Sequence, residues 1–259
     1  MGFVGGDLGY RFLKKFYPGG QNVPMSSGDP YKERGQSKLA TLFGPEIFEE
    51  LADKVVLDFG CGEGSTCIEL AQRRSSEVIG LDNREDVLAI ARSEAERCGV
   101  AGRCRFVSSL DTRVDVVLSM DAFEHFADPA GVLVEMRRLL EDSGYALIQF
   151  GYPWYHPLGG HLFSVFPWAH LIFTEEALIR WRSDFKTDGA RRFHEVAGGL
   201  NQMTIARWER LVKESPFRVA TQELVPIRSL RHFHNRLTRE LFTSLIRARL
   251  VPREPAKQP

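Results

Sequence analysis

Three glycines at alternate positions, Gly60, Gly62 and Gly64, follow directly on an apolar run in VVLDFGCGEG, residues 55–64. Glycine at that frequency suits a bend where the main chain must approach a ligand closely and adopt dihedral angles that a Cβ forbids. Two carboxylates flank the bend. Asp58 lies near the end of the first run, and Asp82 closes a second apolar run, VIGLD. A carboxylate beside a pyrophosphate would repel it, so Asp58 argues against a dinucleotide and for a ligand with a cationic ammonium group. The spacing is GxGxG, not the GxGxxG of most nicotinamide sites. S-adenosylmethionine, a nucleoside with an ammonium and a sulfonium, answers this description.

These residues need elements to hold them. The pattern predicts strands over 55–59, 77–82, 104–108, 114–119 and 144–150, with helices over 64–74, 84–98 and 129–141 between them. Strands alternating with helices of this length predict βαβ units, a parallel sheet and right-handed crossovers. Asp142-Ser143-Gly144 reads as the helix stop before the fifth strand. A helix beginning near Gly64 would aim its N-terminal amides at the ligand. Residues 1–53 carry loop punctuation, YPGGQNVPMSSGDPY, and then a helical stretch, QSKLATLFGPEIFEELAD. Residues 151–200 break the rhythm, with aromatic, proline, glycine and histidine residues in GYPWYHPLGGHLFSVFPWAHLIF. TEEALIRWRS and MTIARWERLVKES read as helices and FRVATQELVPI as a strand. Leu230, Phe233, Leu237, Leu241 and Leu245 recur at helical spacing, which predicts an arginine-studded C-terminal helix and tail over 229–259.

The motifs resemble class I S-adenosylmethionine-dependent methyltransferases, particularly the small-molecule branch of the ubiquinone and menaquinone type. The resemblance rests on DFGCGEG at 58–64, on Asp82, and on VDVVLSMDAFEHFADP at 114–129. It implies a three-layer Rossmann-like α/β fold, a mostly parallel sheet with helices on both faces and a lid insertion. It divides the chain into an N-terminal cap, 1–53, and a methyltransferase domain, 54–259, with 151–200 on the acceptor side. It implies S-adenosyl-L-methionine as cofactor, with Asp58, Phe59, Gly60, Cys61, Gly62 and Gly64 around its methionine part. Asp82, with Asn83 beside it, takes the ribose hydroxyls. Met120 and Asp121 lie in the turn beneath the cofactor. Where the family often has Gly-Asp-Ala after the third strand, this chain has Ser108-Ser109-Leu110, which makes Ser109 and Leu110 the residues nearest the adenine.

The expected reaction is methyl transfer to a small molecule, with a phenol or hydroxyl oxygen as the leading acceptor. His125 and His161 are the candidate bases. Tyr152, Trp154, Tyr155, Phe163 and Trp168 offer flat apolar walls for an acceptor pocket. Tyr31 and Phe43 are placed to close over the cofactor. His156, His161 and His170 are spaced by five and nine residues without a cysteine or carboxylate cluster, so no metal site is expected. Lys and Arg equal Asp and Glu at 34 each in 259 residues, which removes any global field toward nucleic acid or membrane. An RNA or protein methyltransferase, with the C-terminal arginines as contact surface, remains the alternative, as does a cofactor-binding module without activity. Cys61, Cys67, Cys98 and Cys104 form no CxxC pair and read as reduced residues of a cytoplasmic protein. No apolar run is long enough to span a bilayer, and Gly6 where Ser or Thr would be needed argues against myristoylation at Gly2.

Overall fold

The computed structural model describes residues 2–20, 37–73, 77–196 and 198–254. Its spine is a seven-stranded sheet in the order β3-β2-β1-β4-β5-β7-β6. The parallel part comprises β1 (Val55–Phe59), β2 (Glu77–Leu81), β3 (Cys104–Val107), β4 (Val114–Met120) and β5 (Leu140–Phe150). β1 sits between β2 and β4, buried on both faces, which is why it reads as a continuous apolar run rather than an alternating one. The order reverses between β1 and β4. Ligands of open α/β sheets sit beyond the strand ends at such a reversal, and the Gly60–Gly64 bend lies there.

Helices α4 (Ser65–Gln72) and α5 (Glu85–Arg97) lie on one face with α2 (Lys38–Phe43) and α3 (Ile47–Glu50). Their Leu39, Leu42, Leu70, Leu88 and Ala91 pack against Val56 and Val78. Helices α6 (Pro129–Leu139) and α9 (Ile205–Glu214) cover the other face, with Leu133, Met136, Ile205 and Trp208 against Leu57 and Ile148. Helix α6 starts as its sequence dictates: Asp128 accepts the Gly131 N–H at 3.0 Å, and Pro129 sits where no N–H is needed.

A third apolar cluster joins the chain's beginning to its irregular middle. Helix α1 (Gly6–Phe16), which the sequence pattern did not reveal, lies against α8 (Glu175–Arg182). Leu13 packs with Trp154, Phe163, Phe173, Leu178, Trp181 and Phe193. Trp181 Nε1 donates to the Tyr17 carbonyl at 2.9 Å, and the Phe3 and Val4 N–H groups to Ile172. A short helix, α7 (Ala169–Ile172), completes this cap.

Two sequence expectations fail. The C-terminal helix over 229–259 is instead a 3-10 turn (Arg228–Phe233), a single helical turn α10 (Arg239–Phe242) and a strand, β7 (Thr243–Pro252). β7 runs antiparallel between β5 and β6 (Phe217–Pro226) and supplies the sheet's seventh strand. The apolar residues at helical spacing were misleading. Phe233 and Leu237 are exposed, while Ile246, Ala248 and Leu250 point inward with a period of two. The expected helix stop at Asp142-Ser143-Gly144 lies inside β5, where the register against β4 shifts between Val114 and Val116.

Among the described residues, no helix is long and apolar enough to cross a membrane.

Candidate functional site

The bend after β1 departs from ordinary backbone at all three glycines. Gly60, Gly62 and Gly64 have φ of +83°, +52° and +76°, in the left-handed region that disfavours a side chain. The reasons for glycine then divide. A Cβ on Gly60 would lie 2.9 Å from the Cβ of Ala122, and one on Gly64 would lie 2.5 Å from the Phe106 ring. A Cβ on Gly62 would meet nothing within 4 Å. Gly60 and Gly64 are therefore needed for packing, and Gly62 presents bare main chain to open space.

Asp82 secures this open corner. Its Oδ2 accepts the Gly62 N–H at 3.0 Å and its Oδ1 the Arg84 N–H at 3.0 Å. A carboxylate has about four lone-pair sites, so capacity remains for two ribose hydroxyls. Asn83, next to it in the chain, and Ser109 are exposed, whereas Leu110 is buried in the core beside α6 and Met120 in the core of the opposite face. Leu110 and Met120 therefore contribute through the main chain or as packing. Phe59 stands edge-on to Phe126, and Cys61 is half-buried with its Sγ over the Gly62 carbonyl.

Asp58 is 3% exposed and accepts from the Cys67 thiol at 3.7 Å. Burial pushes its carboxyl up to about 6, against the pull of the Lys38 ammonium. A buried carboxylate with one weak donor is a cation site in waiting. Lys38 escaped the sequence reading. It begins α2, whose N-cap Ser37 accepts the Ala40 N–H at 2.9 Å, and it pairs with Asp121 in the turn after β4. Asp121 itself has φ of +48° and accepts from Gln149 Nε2 at 2.8 Å. Nothing in the spacing of a single lysine at the start of a helical stretch marks it. Phe43 packs against the α4–α5 core, and Tyr31 lies outside the described residues.

The turn after β4 also leads to a second feature. Ala122 and Phe126 face Gly60, while His125 lines a cavity of about 480 Å³ together with His161, Phe163, Arg182, Lys186 and Leu200. The two candidate bases, 36 positions apart in the chain (161 − 125), thus share one wall, their rings edge-to-face at 5.2 Å. His125 Nδ1 lies 2.8 Å from the Gly199 carbonyl, which fixes the proton there and leaves Nε2 as the free lone pair. Burial lowers both histidines, His161 to about 4, so both are neutral near pH 7. His156 and His170 have other tasks. His156 Nδ1 accepts the Leu158 N–H at 2.9 Å, and His170 bridges Ser164 and the Trp154 carbonyl. Of the aromatics expected as acceptor walls, Phe163 lines the cavity. Trp154 belongs to the cap's apolar cluster, Tyr152 stacks on His156, and Trp168 donates to the Tyr155 carbonyl.

Residues 50–155 match a family model described as a methyltransferase domain. A ubiquinone biosynthesis O-methyltransferase from Pseudomonas paraeruginosa is 36% identical over 104 residues, 38% of this chain and 44% of the relative. One from Ruegeria is 36% identical over 135 residues, 49% of this chain and 54% of the relative. The chain thus spans about half the length of the curated relatives it matches. A Pyrococcus horikoshii protein superposes with a TM-score of 0.53 at 18% identity, covering 93% of this chain and 99% of its own. An S-adenosylmethionine-dependent methyltransferase from Mesorhizobium loti does so at 0.51 and 17%, covering 78% and 92%. These two show the fold. Residues 50–155 thus match a methyltransferase domain, set in a fold that this chain shares with S-adenosylmethionine-dependent methyltransferases.

Proposed function

We propose that this protein transfers a methyl group from S-adenosylmethionine to a hydroxyl or phenol oxygen of a small molecule. The observation that carries the reading is adjacency. An open glycine corner flanked by Asp58 and Asp82 lies one turn, residues 121–126, from a cavity walled by two neutral histidines. The residues fit the cofactor. Asp58 would face its ammonium group, Gly62 would let main chain approach, and Asp82 would accept from the ribose. The bound cofactor supplies a methyl group on a sulfonium, an already activated leaving group.

The chain's part is then positioning and proton handling. In-line transfer needs the acceptor oxygen about 3–3.5 Å from the methyl carbon with water kept out. The cap formed by α1 and residues 152–200 supplies the walls. A phenol or alcohol must also lose its proton. His161 Nε2 is buried with no partner, and His125 Nε2 is left free by the Nδ1 contact to Gly199. Either could take that proton, which would be worth about 10²–10⁴-fold in rate. The ubiquinone O-methyltransferase names of the partial relatives favour an oxygen acceptor with a ring.

Transfer to RNA or protein is less well supported. Of the C-terminal arginines that would form its contact surface, three are taken up in ion pairs within the chain, Arg239 with Glu209, Arg247 with Glu223 and Arg249 with Glu50, while Arg231 and Arg236 are exposed. The test is calorimetric titration with S-adenosylhomocysteine followed by methyl transfer across a panel of phenols, catechols and RNA. Binding together with phenol methylation is expected. Binding with transfer only to RNA would replace the acceptor, and absence of binding would end the reading.

A further inference from the structure

The cavity beside His125 carries a charge that the reaction above does not use. Its walls come from the turn over residues 160–163, the loop over 182–188 and the segment that ends at Leu200. Leu162, Phe163, Val196 and Leu200 make them largely apolar, and a volume of about 480 Å³ suits a ligand built on a ring. His125 and His161 add polarity without charge, because burial lowers both. Among the described residues on these walls, the permanent charges all lie in the loop: Arg182, Lys186 and Asp188.

The loop is built so that one of these three charges stays unmatched. Arg182, 5% exposed, gives Nη1 and Nη2 to the two oxygens of Asp188 at 2.6 and 2.5 Å. This fork ties the ends of the loop together and cancels both charges. Inside it, the Phe185 and Lys186 N–H groups donate to the Arg182 carbonyl at 3.1 and 3.0 Å, and the Phe185 ring packs edge-on against Trp181. Asp184, the loop's other acid, is engaged with α1: it pairs with Lys14 and accepts from the Tyr10 hydroxyl. Lys186 is left with no ion-pair partner among the described residues. One unmatched ammonium therefore stands at the wall of an apolar cavity, on a loop held in place at both ends. Walls of low polarity strengthen its field and draw an anion toward it.

We propose that the acceptor taken by this cavity is a phenol bearing a carboxylate, its acid paired with Lys186 and its hydroxyl at the histidine wall. A lysine is a point charge and suits a monoanion. A phosphate calls for a guanidinium fork or several main-chain donors, and the Arg182 fork is already occupied by Asp188. Thr187, next to Lys186 on the wall, carries a hydroxyl that can donate beside the ammonium. Lys186 is thus the residue that selects the acceptor: it holds an acid and turns away an amine. The part given to the hydroxyl rests on the methyl-transfer reading; the pairing of an acid with Lys186 does not.

The test measures binding before turnover. Calorimetry on the whole chain without cofactor compares 4-hydroxybenzoate, 4-hydroxyphenylacetate and 4-hydroxycinnamate with their methyl esters at low ionic strength. At least one acid should bind about 5-fold more tightly than its ester, the upper range for a pair that solvent still reaches. High salt should shrink that advantage. Lys186→Gln should remove it and leave ester affinity in place, and Lys186→Glu should reverse it in favour of tyramine. Lys186 is exposed, so neither change threatens the fold. No binding by any acid, acids that bind no better than esters, or a preference that survives Lys186→Gln would overturn the proposal. Methyl transfer from S-adenosylmethionine to the same pairs is read separately. Equal transfer to acids and esters would remove the acid site and leave the methyl-transfer reading intact. Transfer to none, with the binding preference in place, would strike that reading and leave the acid site standing.

Discussion

The cofactor corner and the cap achieve order by different means. At Gly60–Gly64 the main chain itself is the device, and the surrounding groups are mostly backbone N–H and C=O plus two carboxylates. In the cap, aromatic side chains from α1 and residues 152–200 hold one another, and three histidines sit neutral among them. A main-chain device tolerates almost no change of residue type at its bends. A side-chain cluster tolerates repacking but is sensitive to protonation. The two regions should therefore fail under different insults.

The largest effects should come from the glycines, and they should separate. Gly64→Val places a side chain against Phe106 and Ala91 at a left-handed dihedral angle. Left-handed strain of about 1–2 kcal/mol and overpacking of about 1–3 kcal/mol add, so its unfolding free energy from denaturant titration should fall by roughly 2–5 kcal/mol. Gly62→Val has the strain without the clash. It should keep a near-native circular dichroism spectrum and lose S-adenosylhomocysteine binding in calorimetry. Equal stability loss in both would erase the distinction between the packed and the presenting glycine.

The pH response should distinguish the regions next. His156, His161 and His170 are each lowered to about 4 by burial, against an ordinary 6.5. A folded state that resists protonation is fully stable above pH 6.5 and loses stability as pH falls toward 4, up to about 3 kcal/mol per histidine. Asp58 acts in the opposite sense. Raised to about 6, it contributes most below its ordinary value and loses that contribution as pH rises to 6. The cap term should dominate, with melting temperature dropping between pH 6.5 and 4. His161→Gln should make the accompanying loss of unfolding free energy smaller by up to about 3 kcal/mol, because the unpartnered ring nitrogen is removed. An unchanged slope would mean that the His161 ring is solvated.

Asp82→Ala should weaken cofactor binding by about 1–3 kcal/mol, since it leaves the Gly62 N–H and the ribose hydroxyls without an acceptor. Calorimetry showing an unchanged dissociation constant would remove Asp82 from the site.

Legibility followed the same division. Glycines, strand-end carboxylates and a strand buried on both faces leave local signatures, so Asp58, Gly60, Gly62, Gly64 and Asp82 could be placed from the chain alone, as could the first five strands to within a few residues. Lys38 could not, because its meaning is Asp121, 83 positions away (121 − 38). His125 and His161 were each visible, but their shared wall depends on how residues 152–200 fold back. β7 was misread because Leu237, Leu241 and Leu245 mimic a helical face, while the ion-paired Arg247 and Arg249 obscured an alternation of period two.

The smallest effect tests whether the cap is energetically separate from the corner. Thr174 caps α8: its Oγ1 accepts the Ala177 N–H at 3.3 Å, and its own N–H donates to the Val4 carbonyl at 2.9 Å. The second bond is main chain and survives substitution, so Thr174→Ala removes only the cap and should cost about 1 kcal/mol. Gly5 packs against the Thr174 side chain, so the loss should loosen the start of α1 as well. None of these groups touches Asp58, Gly62 or Asp82. Hydrogen exchange should therefore quicken in α1 and α8 while cofactor affinity stays fixed. A parallel loss of affinity would show that the cap and the glycine corner open as one unit.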